Sequence, residues 1–151
     1  MLGNQDNHLI NELIAVCNDG QQFYQRAATQ VANNDLKSLF REMATIRAEI
    51  ADDLSKTVEA EGGSPEKGGS LVGTMRTVYA EVKSQISDDP NYQYVSELEA
   101  SEEIALRTFR DDIRKIDSPH LASHIAQHLA TIQVTHDRMK DIKAGLIAVK
   151  H

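Results

Sequence analysis

Four polar residues lie on helix faces that are otherwise apolar, and their side chains can bind a metal ion or pair charges. They are Cys17, Arg47, Glu102 and His136, and Glu99 stands one helical turn before Glu102. A polar side chain that faces a core costs stability unless it finds a partner there. Each of these residues is therefore a candidate for an interaction at the centre of the molecule.

The spacing of two of these residues resembles that of a carboxylate-bridged metal centre. In such helical bundles, two helices each supply an inward Glu and the other two each supply Glu-x-x-His. Here Glu102 supplies one acid, and Gln133 to His136 keeps the second spacing with a neutral amide in place of the acid. Cys17 occupies the place of the other lone Glu, and the second helix supplies no complete pair. The pattern indicates a degenerate centre.

Arg47 leads to two hypotheses for this centre. A guanidinium keeps its proton and repels a divalent cation that shares its pocket. In the first hypothesis Arg47 replaces the metal and forms a buried ion pair with Glu102 or Glu99. In the second, one divalent ion (Fe, Mn or Zn) is held by Glu102 and His136, with Glu99 and Cys17 as further ligands. The first hypothesis is favoured, and no cofactor is expected from it.

Simpler interpretations accompany these hypotheses. A lone Cys17 is more often a small core residue than a ligand, and His136 more often a hydrogen-bonded core histidine. A histidine recurs every fourth residue at His120, His124 and His128. This spacing puts the three rings on one helix face, where a solvated stripe is expected and adventitious metal binding is the alternative. The acidic run from Glu97 to Glu103 is likewise expected to be partly a solvated face.

Apolar residues that recur every three or four positions predict four long helices in one all-α domain spanning residues 1–151. The first covers about residues 6–32, and Asn33 caps the second, which ends at Gly62 and Gly63. Two further helices begin at Asp89-Pro90 and after Ser118-Pro119. The expected architecture is a ferritin-like four-helix bundle of two hairpins, because a long connection joins the second and third helices. That connection is predicted to contain a short extra helix carrying Leu71, Met75, Val78, Val82 and Ile86.

Composition narrows the class of protein. The formal net charge is -7 and the sixteen Lys and Arg residues are scattered, which argues against nucleic acid or an anionic membrane as a partner. No run of about 20 apolar residues is present, and the first residues do not resemble a secretion signal. With a single cysteine, these features predict a cytoplasmic protein.

Several segments resemble a bacterial family of small ferritin-like four-helix-bundle proteins of unknown function. The similarity lies in residues 11–20, Tyr24, the connection at 62–66 and 69–71, and the closing His136-Asp137-Arg138. It extends over nearly the whole chain. The resemblance implies the fold and a bacterial, cytoplasmic setting, and it implies no activity, substrate or ligand set.

Three functions follow as hypotheses. The first is a non-enzymatic structural or interaction protein that self-associates through a helical face and, by analogy with other ferritin-like families, takes part in a stress response. The second is a metal-binding or metal-dependent redox protein that uses Glu102 and His136. The third is a thiol sensor at Cys17, which requires an exposed thiol with a lowered pKa.

Overall fold

The computed structural model describes residues 3–68 and 89–150, which form four long helices. They are α1 (Asn4–Gln30), α2 (Asn34–Ala60), α3 (Pro90–Lys115) and α4 (Pro119–Lys150). No strand occurs within these two described ranges. The predicted all-α four-helix bundle is therefore confirmed, whereas the predicted short helix at Leu71 to Ile86 lies outside the described residues.

Local chemistry at the helix ends explains these boundaries. The side chain of Asn33 accepts a hydrogen bond from the amide of Leu36 at 3.0 Å, which caps α2. The carboxylate of Asp89 accepts from the amide of Asn91 at 3.0 Å, and Pro90 occupies the first turn of α3. After α2, Gly62 takes a φ of 84°, a left-handed conformation that glycine adopts without steric cost.

Contacts at the helix ends define the direction of each helix. The carboxylate of Asp6, at the start of α1, accepts from the amide of Asp117 at 2.9 Å, just after α3. At the other end Tyr94 of α3 donates to Gln30 of α1 at 3.2 Å. These contacts make α1 and α3 antiparallel. Each hairpin is also antiparallel, so α2 and α3 run in the same direction, and the connection between them starts and ends at opposite ends of the bundle.

The first part of that connection packs along α1. The side chain of Asn11 donates to the carbonyl of Ser64 at 3.0 Å and accepts from the amide of Glu66 at 2.8 Å. Two turns later, Asn18 donates to the carbonyl of Gly68 at 3.3 Å. Residues 63–68 therefore run from the start of α1 towards its middle, in the direction that the topology requires.

Two apolar clusters fill the interior, one towards each end of the bundle. The first includes Ile50 and Leu54 of α2, and the second includes Phe40 and Met43 of the same helix. Arg47 lies between them along α2 and is buried. The polar centre is thus a layer between two hydrophobic clusters. Among the described residues, no helix is long and apolar enough to cross a membrane.

Candidate functional site

A fully buried carboxylate lies at the middle of the bundle. Glu102 of α3 has no exposed surface, and three side chains from three other helices contact it. Tyr24 of α1 donates its hydroxyl proton to Oε1 at 2.6 Å, and Thr135 of α4 donates to Oε2 at 2.8 Å. The guanidinium Nη2 of Arg47, from α2, lies 2.9 Å from Oε2. Every helix therefore supplies one member of this group.

Arg47 is the positive partner, and only 1% of its side chain is exposed. Burial acts to lower its pKa, but the Glu102 carboxylate, together with Cys17 and Tyr24, raises the pKa of Arg47 above its ordinary value. The guanidinium packs against Gly20 of α1, where an added Cβ would lie 3.3 Å from Nη1. The glycine therefore leaves space that the charged group occupies.

Tyr24 and Cys17 complete the surroundings of the ion pair. Burial and the Glu102 carboxylate raise the pKa of the Tyr24 hydroxyl well above its ordinary value, so this group remains a hydrogen-bond donor. Cys17 is fully buried, and burial raises its pKa to about 11 even though the charge of Arg47 acts in the opposite direction. The thiol therefore has neither the exposure nor the lowered pKa that a sensor requires.

We expect thiol reagents to label Cys17 very slowly in the folded protein at pH 8, because a protonated, buried thiol is a poor nucleophile. Labelling should accelerate by orders of magnitude in denaturant, at a rate set by opening of the bundle. Ellman's reagent with and without guanidinium chloride measures both rates. Labelling of the native protein as fast as that of a free thiol would restore the sensor hypothesis.

The residues at this centre do not fit a pair of bridged metal ions. A metal there would share the space with a permanently positive guanidinium, which has no lone pair to offer. Both Glu102 oxygens already accept from Tyr24 and Thr135. The centre is therefore suited to fixing the four helices in register and has no free acid, base or ligand set among its described members.

His136 belongs to a different group of side chains. Its Nε2 lies 2.7 Å from Glu103 and 3.7 Å from Glu99, and its Nδ1 lies 3.2 Å from Asp137. The ammonium of Lys143 lies 3.7 Å from the other oxygen of Glu99. Glu99, Glu103 and His136 could hold a metal ion between them. The structure thus brings His136 together with Glu99 and Glu103, and brings Glu102 together with Arg47.

A third polar group joins α2 to α4 nearer the other end of the bundle. Asp53 of α2 places its Oδ2 2.8 Å from the Nε2 of His124 and 2.6 Å from the Nε2 of His128. The two rings are in edge-to-face contact, with centroids 5.6 Å apart. Partial burial acts to raise the pKa of Asp53, but hydrogen bonds with His128 and His124 lower it below its ordinary value. The carboxylate is therefore ionised at neutral pH.

Sequence reasoning missed four members of these groups, namely Tyr24, Asp53, Glu103 and Thr135. Adjacent residues on a helix point about 100° apart, so one position decides which group a side chain joins. Thr135 faces Glu102, whereas His136 faces Glu103. Gln133, the amide in the Glu-x-x-His spacing, instead accepts from Arg110 at 2.6 Å on the surface.

Comparison with known proteins gives one match. Residues 6–115 match the model of a family described as "Domain of unknown function (DUF2383)". The match covers α1, α2, their connection to α3, and α3 itself. No match was found among curated proteins or solved structures.

Proposed function

The chain belongs to the DUF2383 family, and from the geometry of its centre we propose that it is a non-enzymatic, ferritin-like bundle that acts as a structural or interaction protein in the bacterial cytoplasm. The observation that carries this proposal is the buried Arg47–Glu102 pair, at 2.9 Å. The pair lies in the bundle core with one side chain from each helix around it, and ferritin-like proteins build their metal sites from core side chains of facing helices. One long connection between two short-loop hairpins is also the connectivity of ferritin-like bundles, which supports a ferritin-like fold.

An ion pair at this position favours a structural role. A buried pair contributes little net stability compared with apolar residues of similar volume, but a single unpaired member is very unfavourable. The pair therefore penalises any packing in which α2 and α3 slip by one turn. A uniquely packed bundle presents fixed outer faces, which is what binding to a partner or self-association through one helical face requires.

Metal titrations test this proposal. We expect iron, manganese and zinc to leave the buried centre empty in untagged protein, so that no metal binding survives in a variant carrying both His124→Ala and His136→Ala. These two changes remove the two other groups of described residues that could hold an ion. Stoichiometric metal in the double variant would place an ion at the centre and overturn the proposal. Sedimentation velocity of the wild-type protein tests self-association.

Metal binding through His136 is a second candidate function, with Glu99 and Glu103 as its acids. The observation that favours it is the convergence of both carboxylates on Nε2, at 3.7 and 2.7 Å. Imidazole with carboxylates suits Zn, Fe and Mn. If this site binds metal, His136→Ala removes the ion and lowers the melting temperature only when metal is present. A structural role predicts the same loss with and without metal.

A further inference from the structure

We propose that Asp53, His124 and His128 form a binding site for a divalent cation of the zinc type, which fastens α2 to α4. The site is separate from the Arg47–Glu102 pair and from the Glu99, Glu103 and His136 group. Its three ligand atoms lie within 4.8 Å of one another. The inference does not depend on the proposed function, and a structural ion is compatible with it.

The ligand types and their spacing suit zinc. Two histidines four residues apart on one helix face offer two nitrogens to a single ion, and a carboxylate from another element completes a three-ligand site. A fourth position then remains for water. The Oδ2 atom of Asp53 lies 2.8 Å from Nε2 of His124 and 2.6 Å from Nε2 of His128, so one carboxylate oxygen is already beside both nitrogens.

The distances require only a small adjustment. Tetrahedral zinc with bonds of about 2.0–2.1 Å separates its ligand atoms by about 3.3 Å. The present separations of 2.8 and 2.6 Å are those of hydrogen bonds, so the rings of His124 and His128 have to move away from Oδ2 by about 0.5 and 0.7 Å. The side chains are 18–42% exposed, which leaves them room to do so.

An open groove beside His124 gives an ion access to the site. The groove is lined by residues from the end of α2 and the start of α4, namely Thr57, Ala60, Glu61, His120, Leu121 and His124. His120 borders this groove but makes no contact with Asp53 among the described interactions. It therefore provides a matched control of the same residue type on the same helix.

A cation at this position would join the two hairpins. Short loops join α1 to α2 and α3 to α4, but α2 and α4 face each other without a direct covalent link. Elsewhere along this seam, Arg138 pairs with Glu42 at 3.3 Å on the surface, and such exposed pairs contribute little. Bound zinc would therefore stabilise the association of the hairpins themselves.

Isothermal titration of the untagged full chain with Zn²⁺ tests the proposal. We expect one equivalent to bind, and Asp53→Ala, His124→Ala and His128→Ala each to weaken binding by at least about tenfold, the loss that even indirect ligand partners produce. His120→Ala should retain wild-type affinity. With zinc about 100-fold above Kd, the melting temperature should rise by about 5–10 °C in wild-type protein and in His120→Ala alone.

Three outcomes would overturn the proposal. Wild-type protein that takes up no zinc would show that the three residues only share hydrogen bonds. If Asp53→Ala bound as tightly as wild type, or His120→Ala lost as much affinity as His124→Ala, the histidines of one helix would be binding zinc by themselves. If His136→Ala abolished zinc binding while Asp53→Ala kept wild-type affinity, the ion would be bound by Glu99, Glu103 and His136 instead. Circular dichroism confirms that each variant is folded.

Discussion

Glu102→Gln is expected to lower the free energy of unfolding by about 3–5 kcal/mol, because it leaves the Arg47 guanidinium buried without a counter-charge. The amide can still accept from Tyr24, but its NH2 group cannot accept from Thr135. Urea unfolding followed by circular dichroism measures the change as a lower midpoint with an unchanged slope.

Glu103→Gln is the matched control for this experiment. It removes the same charge at the next position of the same helix, but the Glu103 side chain is 46% exposed. Its contact with His136 is partly screened by solvent, so the expected loss is at most about 1 kcal/mol. Equal effects of the two substitutions would mean that Glu102 is not the buried partner of Arg47 in solution.

Replacing the buried ion pair by apolar residues distinguishes two effects on the free energy of unfolding. One is the loss caused by leaving a single buried charge unpaired, and the other is the net contribution of the intact ion pair. Arg47→Met with Glu102→Leu removes both charges, and Tyr24→Phe removes the hydroxyl that would then lack an acceptor. Thr135 can still donate to the carbonyl of Ile132, at 3.0 Å. We expect this triple variant to be clearly more stable than Glu102→Gln and close to wild type. A triple variant as unstable as the single one would argue that the pair itself stabilises the fold.

The helices and their ends could be predicted because local chemistry determines them. Asn33, Pro90 and Gly62 start or end a helix through contacts within one turn of their own positions, so their roles can be predicted from the sequence alone. The burial of Arg47 and Glu102 also follows from periodicity, since each interrupts a regular apolar face. These predictions need no knowledge of how one helix is rotated against another.

The membership of each polar group could not be predicted, because it depends on that rotation. α4 has apolar, hydroxyl and imidazole residues around much of its circumference, so periodicity does not decide whether Thr135 or His136 faces Glu102. In the same way, Asp53 is one of several acids on a half-exposed face of α2, and only the packing of α4 brings His124 and His128 to it. The spacing of the histidines indicated that they share one face of α4, but it did not indicate that Asp53 of α2 lies opposite that face.

A second buried carboxyl, Asp112 of α3, is expected to make the protein less stable as the pH rises. Only 3% of its surface is exposed, and its Oδ2 has no hydrogen-bond partner among the described residues. Burial, and then the charge of Glu12, raise its pKa to about 7. Unfolded Asp has a pKa of about 3.9, so between these values the folded protein holds a proton that the unfolded chain releases. The contribution of Asp112 to the free energy of unfolding is therefore most favourable below about pH 4. It decreases as the pH rises to about 7, and above that pH it no longer changes.

Asp112→Asn should remove most of this pH dependence. A pKa difference of about three corresponds to at most about 4 kcal/mol, and solvent near the helix end reduces it, so we expect the variant to be about 2 kcal/mol more stable than wild type at pH 8. At pH 4, where folded Asp112 is protonated and the unfolded aspartate is about half protonated, the two proteins should differ by less than about 1 kcal/mol. Urea unfolding at both pH values measures this difference, with Asp111→Asn as the control, because Asp111 is exposed on the same helix. Parallel stability curves for wild type and Asp112→Asn would show that the Asp112 carboxyl is solvated, because a buried carboxyl cannot ionise without a penalty that the amide avoids.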